Sequence, residues 1–192
     1  FIPTASAEDK SYTVNFYSCF NGLNCNPSHL NLFQRTPRIE GLINKADIIY
    51  VGGGNTKSML AVWKEWKLDK LLIKAYSKGT VLAGVSAGAI CWFDTGITDS
   101  WASNLNYIDC LGILPGSCCP HYDSEKDRRP SVYKFIEQEK IKSVYAIEDG
   151  AAIHFVDDAP YKNISFFKDS KVFFVDKKNS IIQEKPQKMV SI

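Results

Sequence analysis

Two patterns of hydrophobic and polar positions follow one another along the chain. In the first half, short apolar runs at 47–51 and 80–85 end at turn residues and predict buried strands. The stretches around them carry apolar residues at helical spacing. They predict helices over 8–20, over 38–45, from Asn55 or Thr56 onward, over 69–78, and from Ser86 through Phe93.

In the second half, the hydrophobic pattern has the shorter period that is typical of β-strands. A helix predicted over 130–140 is followed by β-type runs at 143–148, 151–156, 163–167 and 171–176, separated by turn residues. Strand–helix alternation followed by hairpins predicts an α/β fold with antiparallel strands at the sheet edge or in an extension. The length of 192 residues predicts one domain over 1–192.

The amino-acid composition excludes several classes of protein. Hydrophobic residues make up 45% of the chain and the net charge is +2, which excludes disorder and gives no reason to expect a nucleic-acid or membrane partner. The six cysteines lack the density of a disulfide scaffold and the C-x-x-C spacing of a zinc site. We therefore expect reduced thiols, a cytoplasmic protein and no metal.

The strongest chemical motif is Gly84-Val85-Ser86-Ala87-Gly88, which fits G-x-S-x-G. It lies directly after a predicted strand and before a predicted helix, the context that a nucleophile elbow requires. The helix N-terminus there can stabilise an oxyanion. A glycine-rich turn that binds phosphate is the alternative interpretation.

A second glycine-rich turn, Gly52-Gly53-Gly54-Asn55, follows the other predicted strand of the first half. The carboxyl ends of parallel strands meet at one edge of a sheet, so the two turns can face each other there. A glycine N–H can then join the N–H of Ala87 as an oxyanion pair. Taken alone, the triple glycine is equally typical of a plain turn.

A nucleophilic serine needs a base, and the chain has three histidines. His121, in Pro120-His121-Tyr122-Asp123, is favoured over His29, in a polar loop, and His154, within a predicted strand. Candidates for the carboxylate that orients the imidazole are Asp99, Asp123, Asp94 and Glu148.

Two arginines follow the favoured histidine within one short segment. A guanidinium of Arg128 or Arg129 can hold a substrate carboxylate with two parallel hydrogen bonds. A solvated charge cluster, with the arginines bound by the neighbouring acidic residues, is the alternative.

Taken together, Tyr50–Thr56, Gly84–Ala89 and Pro120–Tyr122 resemble the peptidase E and cyanophycinase family of serine peptidases. The resemblance runs from Phe1 to the strands near 155. It implies a class I glutamine-amidotransferase-like fold, a three-layer sandwich around a mostly parallel sheet. The family's first strand would precede Phe1, in line with the resemblance of residues 1–5 to the end of a strand.

The resemblance also implies roles for residues. Ser86 is the implied nucleophile, His121 the base, and Gly53 or Gly54 with Ala87 the oxyanion donors. Asp99 lies near the family's acidic position, whereas Asp123 resembles the His-x-Glu arrangement of amidotransferases; a Ser–His dyad is a third possibility. Asn55, Arg128 and Arg129 are the implied substrate contacts.

We therefore predict a serine peptidase that hydrolyses short peptides, without a cofactor, with N-terminal aspartate as a candidate preference. Its expected partner is the peptide substrate, with neither nucleic acid nor membrane, and a homodimer is left open. Two alternatives also stay open: another amide or ester hydrolase on the same scaffold, and a non-catalytic binding protein that retains the fold.

Overall fold

The computed structural model describes residues 1–35, 38–167 and 169–191, and these form two compact units, Phe1–Ala89 and Ile90–Ile192. The single domain over 1–192 stays a prediction. Both units mix helices and strands, which confirms the α/β class. No helix in the described part of the chain is long and apolar enough to cross a membrane.

The first unit is built around a pair of short parallel strands. After a 3₁₀ turn at Thr4–Ser6, its elements are α1 (Lys10–Phe20), α2 (Ile39–Lys45), β1 (Ile48–Val51), α3 (Thr56–Glu65), α4 (Leu68–Ser77), β2 (Val81–Gly84) and α5 (Ala87–Ile90), the last ending one residue beyond the unit. β1 and β2 pair in parallel from Ile48↔Val81 to Val51↔Gly84. Ile2 bridges to Val51, so the N-terminal segment runs beside β1.

Helices α3 and α4 supply most of the core of this unit. Met59 and Trp63 of α3 and Leu68 and Leu72 of α4 are completely buried. The indole N–H of Trp63 donates to Thr4 Oγ1 at 3.1 Å, so the buried ring has a partner for its polar atom. Burial on one helical face explains why these helices could be predicted from apolar spacing.

The second unit contains most of the strands. Its elements are β3 (Phe93–Thr98), β4 (Asn106–Asp109), β5 (Leu114–Cys119), α6 (Arg128–Glu137), β6 (Ser143–Ile147), β7 (Ala151–Val156), β8 (Ala159–Ser165), β9 (Val172–Lys178), β10 (Ile181–Pro186) and β11 (Met189–Ser191). A six-stranded sheet has the order β10-β9-β6-β5-β3-β4, and a three-stranded sheet has the order β11-β8-β7.

The larger sheet is mixed, and this corrects the mostly parallel sheet that was expected. β5 pairs in parallel with β3 and with β6, but the β3–β4, β6–β9 and β9–β10 pairings are antiparallel. The three-layer sandwich stays a prediction. Helix α6 packs on this sheet through Val132 and Ile136, against Val144 and Val175 in a buried cluster.

One helix is shorter than predicted. α5 ends at Ile90, and Phe93 begins β3 instead of closing the helix. The run from Ala89 to Phe93 is apolar without a clear period, and such short runs are equally compatible with buried helix and buried strand.

Candidate active site

Ser86 lies on the sharp turn between β2 and α5, as the motif predicted. Its φ of +53° is in the left-handed region, which a non-glycine residue rarely adopts. Such a conformation persists only where the surrounding structure enforces it, and it is concentrated at functional sites. The turn therefore presents the serine side chain at some cost in backbone energy.

Close packing explains why glycines flank this serine. A Cβ built on Gly88 would lie 2.1 Å from the carbonyl oxygen of Val51, and one built on Gly84 would lie 2.1 Å from the carbonyl oxygen of Gly88. Because both contacts are with backbone, neither can be relieved by a side-chain rotation. The absence of side chains at these glycines thus allows the turn to pack directly against the end of β1.

The glycine-rich turn after β1 lies beside Ser86, as expected for two turns at the carboxyl ends of neighbouring parallel strands. A Cβ on Gly53 would come within 3.2 Å of Ser86 Cβ and 3.8 Å of its Oγ. Gly54 has a φ of +136°, and a Cβ there would meet the Ala5 carbonyl oxygen at 2.2 Å.

Two side-chain contacts hold this turn in place. The N–H of Gly53, one of the implied oxyanion donors, donates to the hydroxyl of Tyr12 at 3.1 Å. Asn55 is the N-cap of α3, and its Oδ1 accepts a hydrogen bond from the Ser58 N–H at 2.8 Å. The Tyr12 contact joins α1 to the glycine turn, and nothing in the sequence pattern indicated it.

His121 lies in the second unit, two residues after the end of β5, and it too has a left-handed backbone, with a φ of +55°. Its Nδ1 is 2.7 Å from Oδ1 of Asp149. A carboxylate at this position fixes the tautomer and the orientation of an imidazole. The other ring nitrogen, Nε2, is the one that can act as a base.

Asp149 is itself held by several groups. Its N–H donates to Asp123 Oδ1 at 2.9 Å, and its carbonyl oxygen accepts from the Ser170 hydroxyl at 2.7 Å. Partial burial alone would raise the pKa of the Asp149 carboxyl. Hydrogen bonds from Ser124 and His121 and the charge of Arg128 outweigh that effect and lower the pKa below its ordinary value.

The carboxylates proposed from sequence have other partners in this structure. Asp99 lies 3.8 Å from the guanidinium of Arg128, and Asp123 accepts the backbone N–H of Asp149. Asp94 accepts the Gly116 N–H at 2.9 Å, and Glu148 accepts the Lys171 N–H at 2.8 Å. The side chain on the imidazole is that of Asp149, which sequence reasoning missed.

The arrangement of strands could have indicated Asp149. It follows the end of β6, the parallel neighbour of β5, whose end leads into His121. Carboxyl ends of adjacent parallel strands lie side by side. Choosing Asp149 therefore required knowing that β5 and β6 are neighbours, which spacing along the chain does not give.

Arg128 is buried, with 3% of its surface exposed. Its Nε donates to Glu125 Oε2 at 2.8 Å, and its Nη1 donates to the carbonyl oxygen of Ile97 at 2.8 Å. These contacts join the start of α6 to β3. They match the alternative in which acidic neighbours bind the arginine.

Arg129 is more exposed, with 46% of its side chain accessible, and Nη1 lies 3.5 Å from Glu184 Oε1.

The remaining histidines have separate partners: His29 Nδ1 lies 2.8 Å from the Tyr17 hydroxyl, and His154 is exposed on β7 beside the ring of Tyr161. Within the described ranges, His, Cys, Asp and Glu side chains form no group that could hold a metal ion.

Comparison with known proteins agrees with these motifs. Residues 1–161 match the sequence model of peptidase family S51. The chain is 47% identical over 176 residues to uncharacterized peptidase YgaJ of Bacillus subtilis strain 168, covering 91% of this chain and 76% of that protein. It is 31% identical over 130 residues to peptidase E of Pasteurella multocida strain Pm70, covering 63% of this chain and 56% of that protein.

A solved structure supports the fold. The crystal structure of a peptidase from an acI-B1 actinobacterium superposes with a TM-score of 0.64 at 16% identity, covering 98% of this chain and 79% of that chain. Given the match over residues 1–161 and the relatives described above, the chain belongs to peptidase family S51 and is a serine-type peptidase.

Proposed function

We propose that the protein hydrolyses short peptides through Ser86, His121 and Asp149. Ser86 Oγ attacks the scissile carbonyl while Nε2 of His121 takes its proton. His121 then gives that proton to the leaving amine, and water releases the acyl group by the same steps. This assigns to Asp149 the orienting role for which Asp99 and Asp123 were the leading candidates from sequence, with Asp94 and Glu148 as the others.

The observation that supports the proposal most directly is the 2.7 Å contact between His121 Nδ1 and Asp149 Oδ1. With the proton on Nδ1, the imidazole donates to the carboxylate, and its Nε2 lone pair is the base. As the histidine takes a second proton, the carboxylate stabilises the resulting imidazolium.

Backbone N–H groups near Ser86 are the proposed oxyanion donors. Ala87 is the first residue of α5 and directly follows the serine, and Gly53 lies against the serine side chain. We propose Ala87 with Gly53 or Gly54 as the pair. The Gly53 N–H is bound to the Tyr12 hydroxyl, so a substrate oxyanion would take the place of that hydroxyl or share the donor with it.

Labelling with a fluorophosphonate tests the nucleophile. The native protein should be modified at Ser86, and Ser86→Ala should lose both label and peptidase activity. Ser77→Ala, at the exposed end of α4, is the matched control and should keep both. Labelling that persists in Ser86→Ala, or a native protein that does not react, would overturn the assignment.

The preference for N-terminal aspartate stays a prediction within this proposal. Arg128 is buried and bound, which favours a structural role, so Arg129 and Asn55 are the remaining candidates for substrate contact. A charged contact contributes about 1.5–3 kcal/mol, or roughly ten- to 150-fold in kcat/KM.

Dipeptides that begin with Asp, Asn or Ala and share a second residue test this preference. We expect kcat/KM for the Asp peptide to exceed the others by at least about tenfold. Equal values for the three would remove the aspartate preference and leave the peptidase proposal intact.

A further inference from the structure

Five side chains of the second unit form a cluster around one carboxylate. Glu184 Oε2 accepts the hydroxyls of Tyr122 at 2.7 Å and of Tyr133 at 2.8 Å, and Oε1 lies 3.5 Å from Arg129. The Arg129 guanidinium also stacks over the rings of Tyr122, at 4.8 Å, and Phe173, at 5.4 Å. Only 14% of the Glu184 side chain is exposed. We call these residues the Glu184 cluster.

The cluster joins residues inside the family match to residues beyond it. Tyr122, Arg129 and Tyr133 lie inside the region that matches family S51, residues 1–161. Glu184, on β10, and Phe173, on β9, lie beyond it. The carboxylate that accepts hydrogen bonds from both tyrosines therefore belongs to a C-terminal hairpin that the family match does not include.

Tyr122 connects the cluster to His121, its neighbour in the chain. Its ring is buried, its hydroxyl is bound to Glu184, and its N–H donates to the carbonyl oxygen of Ile147 at 3.1 Å. His121 has the left-handed φ of +55°. Such a backbone persists only where its surroundings enforce it, and Tyr122, which directly follows His121, is fixed at its ring, its hydroxyl and its backbone.

We propose that Glu184 is a positioning residue for catalysis, acting through Tyr122 on the imidazole of His121. This rests on the proposed function, in which His121 is the base. A misplacement of about 1 Å in a catalytic group can cost on the order of 100-fold in rate, so loosening this anchor should lower kcat. It should leave KM nearly unchanged, because neither Glu184 nor Tyr122 is a candidate for substrate contact.

The two tyrosines provide a matched pair of variants. Tyr122→Phe and Tyr133→Phe each remove one hydroxyl that donates to the same carboxylate oxygen at nearly the same distance. Both should lower the melting temperature by similar amounts. Only Tyr122→Phe should lower kcat, by about tenfold or more, whereas Tyr133→Phe should stay within about twofold of the native value. Equal kcat in the two variants would overturn the proposal.

A double-mutant cycle separates this inference from the proposed function. His121→Ala alone tests the base: retained activity would contradict the proposed function. If Tyr122 acts through His121, Tyr122→Phe should have no further effect on the residual kcat of His121→Ala. A full additional loss in that background would mean that Tyr122 acts by another route.

Glu184→Gln covers the case in which Tyr122→Phe fails to fold. The amide keeps the shape of the side chain and removes its charge, so the hydrogen bonds from both hydroxyls weaken. We expect kcat to fall with KM nearly unchanged, and the fall should be as large in a Tyr133→Phe background. A native kcat in Glu184→Gln would overturn the positioning role.

Discussion

The carboxyl of Asp149 is an ionisable group in direct contact with the proposed base. It binds Nδ1 of His121, and its pKa is lowered because the hydrogen bonds and charges around it outweigh the effect of partial burial. A carboxyl with a folded-state pKa below its unfolded value stabilises the fold at pH values above the unfolded pKa. That stabilisation is lost as the pH falls through the folded pKa.

Asp149→Asn should therefore flatten the acid side of the stability curve. The native protein loses the contribution of this carboxylate as the pH falls below about 4, whereas the variant lacks it throughout. Melting temperatures measured between about pH 3 and 7 should converge for the two proteins at the acid end. A constant difference across that range would mean that the carboxyl is not stabilised by ionisation.

The same substitution should also impair turnover. An uncharged amide in place of the orienting carboxylate allows the wrong tautomer of His121, and in a strict triad this costs on the order of 10⁴-fold in kcat. Asp99→Asn is the matched control, because Asp99 faces Arg128 instead of the imidazole, and it should retain most activity. A loss below about tenfold in Asp149→Asn would favour a Ser–His dyad over the triad.

At the level of elements, the turn from β2 into α5 depends on contact between backbones. Gly88 approaches Val51 of β1 so closely that an added Cβ would lie 2.1 Å from its carbonyl oxygen. A methyl group there can be accommodated only if β1 and α5 move apart, which would displace Ser86 as well. Stability and activity are thus coupled at this position.

Gly88→Ala should destabilise the protein by about 1–3 kcal/mol or more, the range for overpacking, and should lower activity. Gly22→Ala is the matched control, because a Cβ at Gly22 meets no atom within 4 Å. Denaturant unfolding followed by circular dichroism measures both. Equal stabilities for the two variants would show that the turn accommodates a side chain after all.

Some of these elements could be predicted from the hydrophobic pattern alone, and others could not. The helices over 10–20, 56–65 and 68–77 were predictable because each buries a face at helical spacing, and β1 and β2 because each is a short apolar run. β3, β4, β5, β10 and β11 were not recognised. β3 follows an apolar stretch without a clear period, and Gly116 and Ser117 interrupt the β-type composition of β5.

At the level of the molecule, the sequence did not predict which strands are neighbours in the sheets. Ser86 and the glycine turn were found because local sequence defines each of them, and their proximity follows from the β1–β2 pairing. Asp149 lies 28 residues after His121 and was missed because the β5–β6 pairing determines its place. The mixed sheet was not predicted for the same reason, because the composition of β9 does not indicate that it pairs antiparallel with β6.

The left-handed backbones of Ser86 and His121 have a consequence for directed evolution. Glycine at either position would relieve about 1–2 kcal/mol of strain, against an entropic cost of roughly 0.5–1 kcal/mol. A library selected only for heat tolerance would therefore tend to enrich Ser86→Gly, and its most robust members would be inactive. Selection for a thermostable form of this peptidase has to screen turnover in every round.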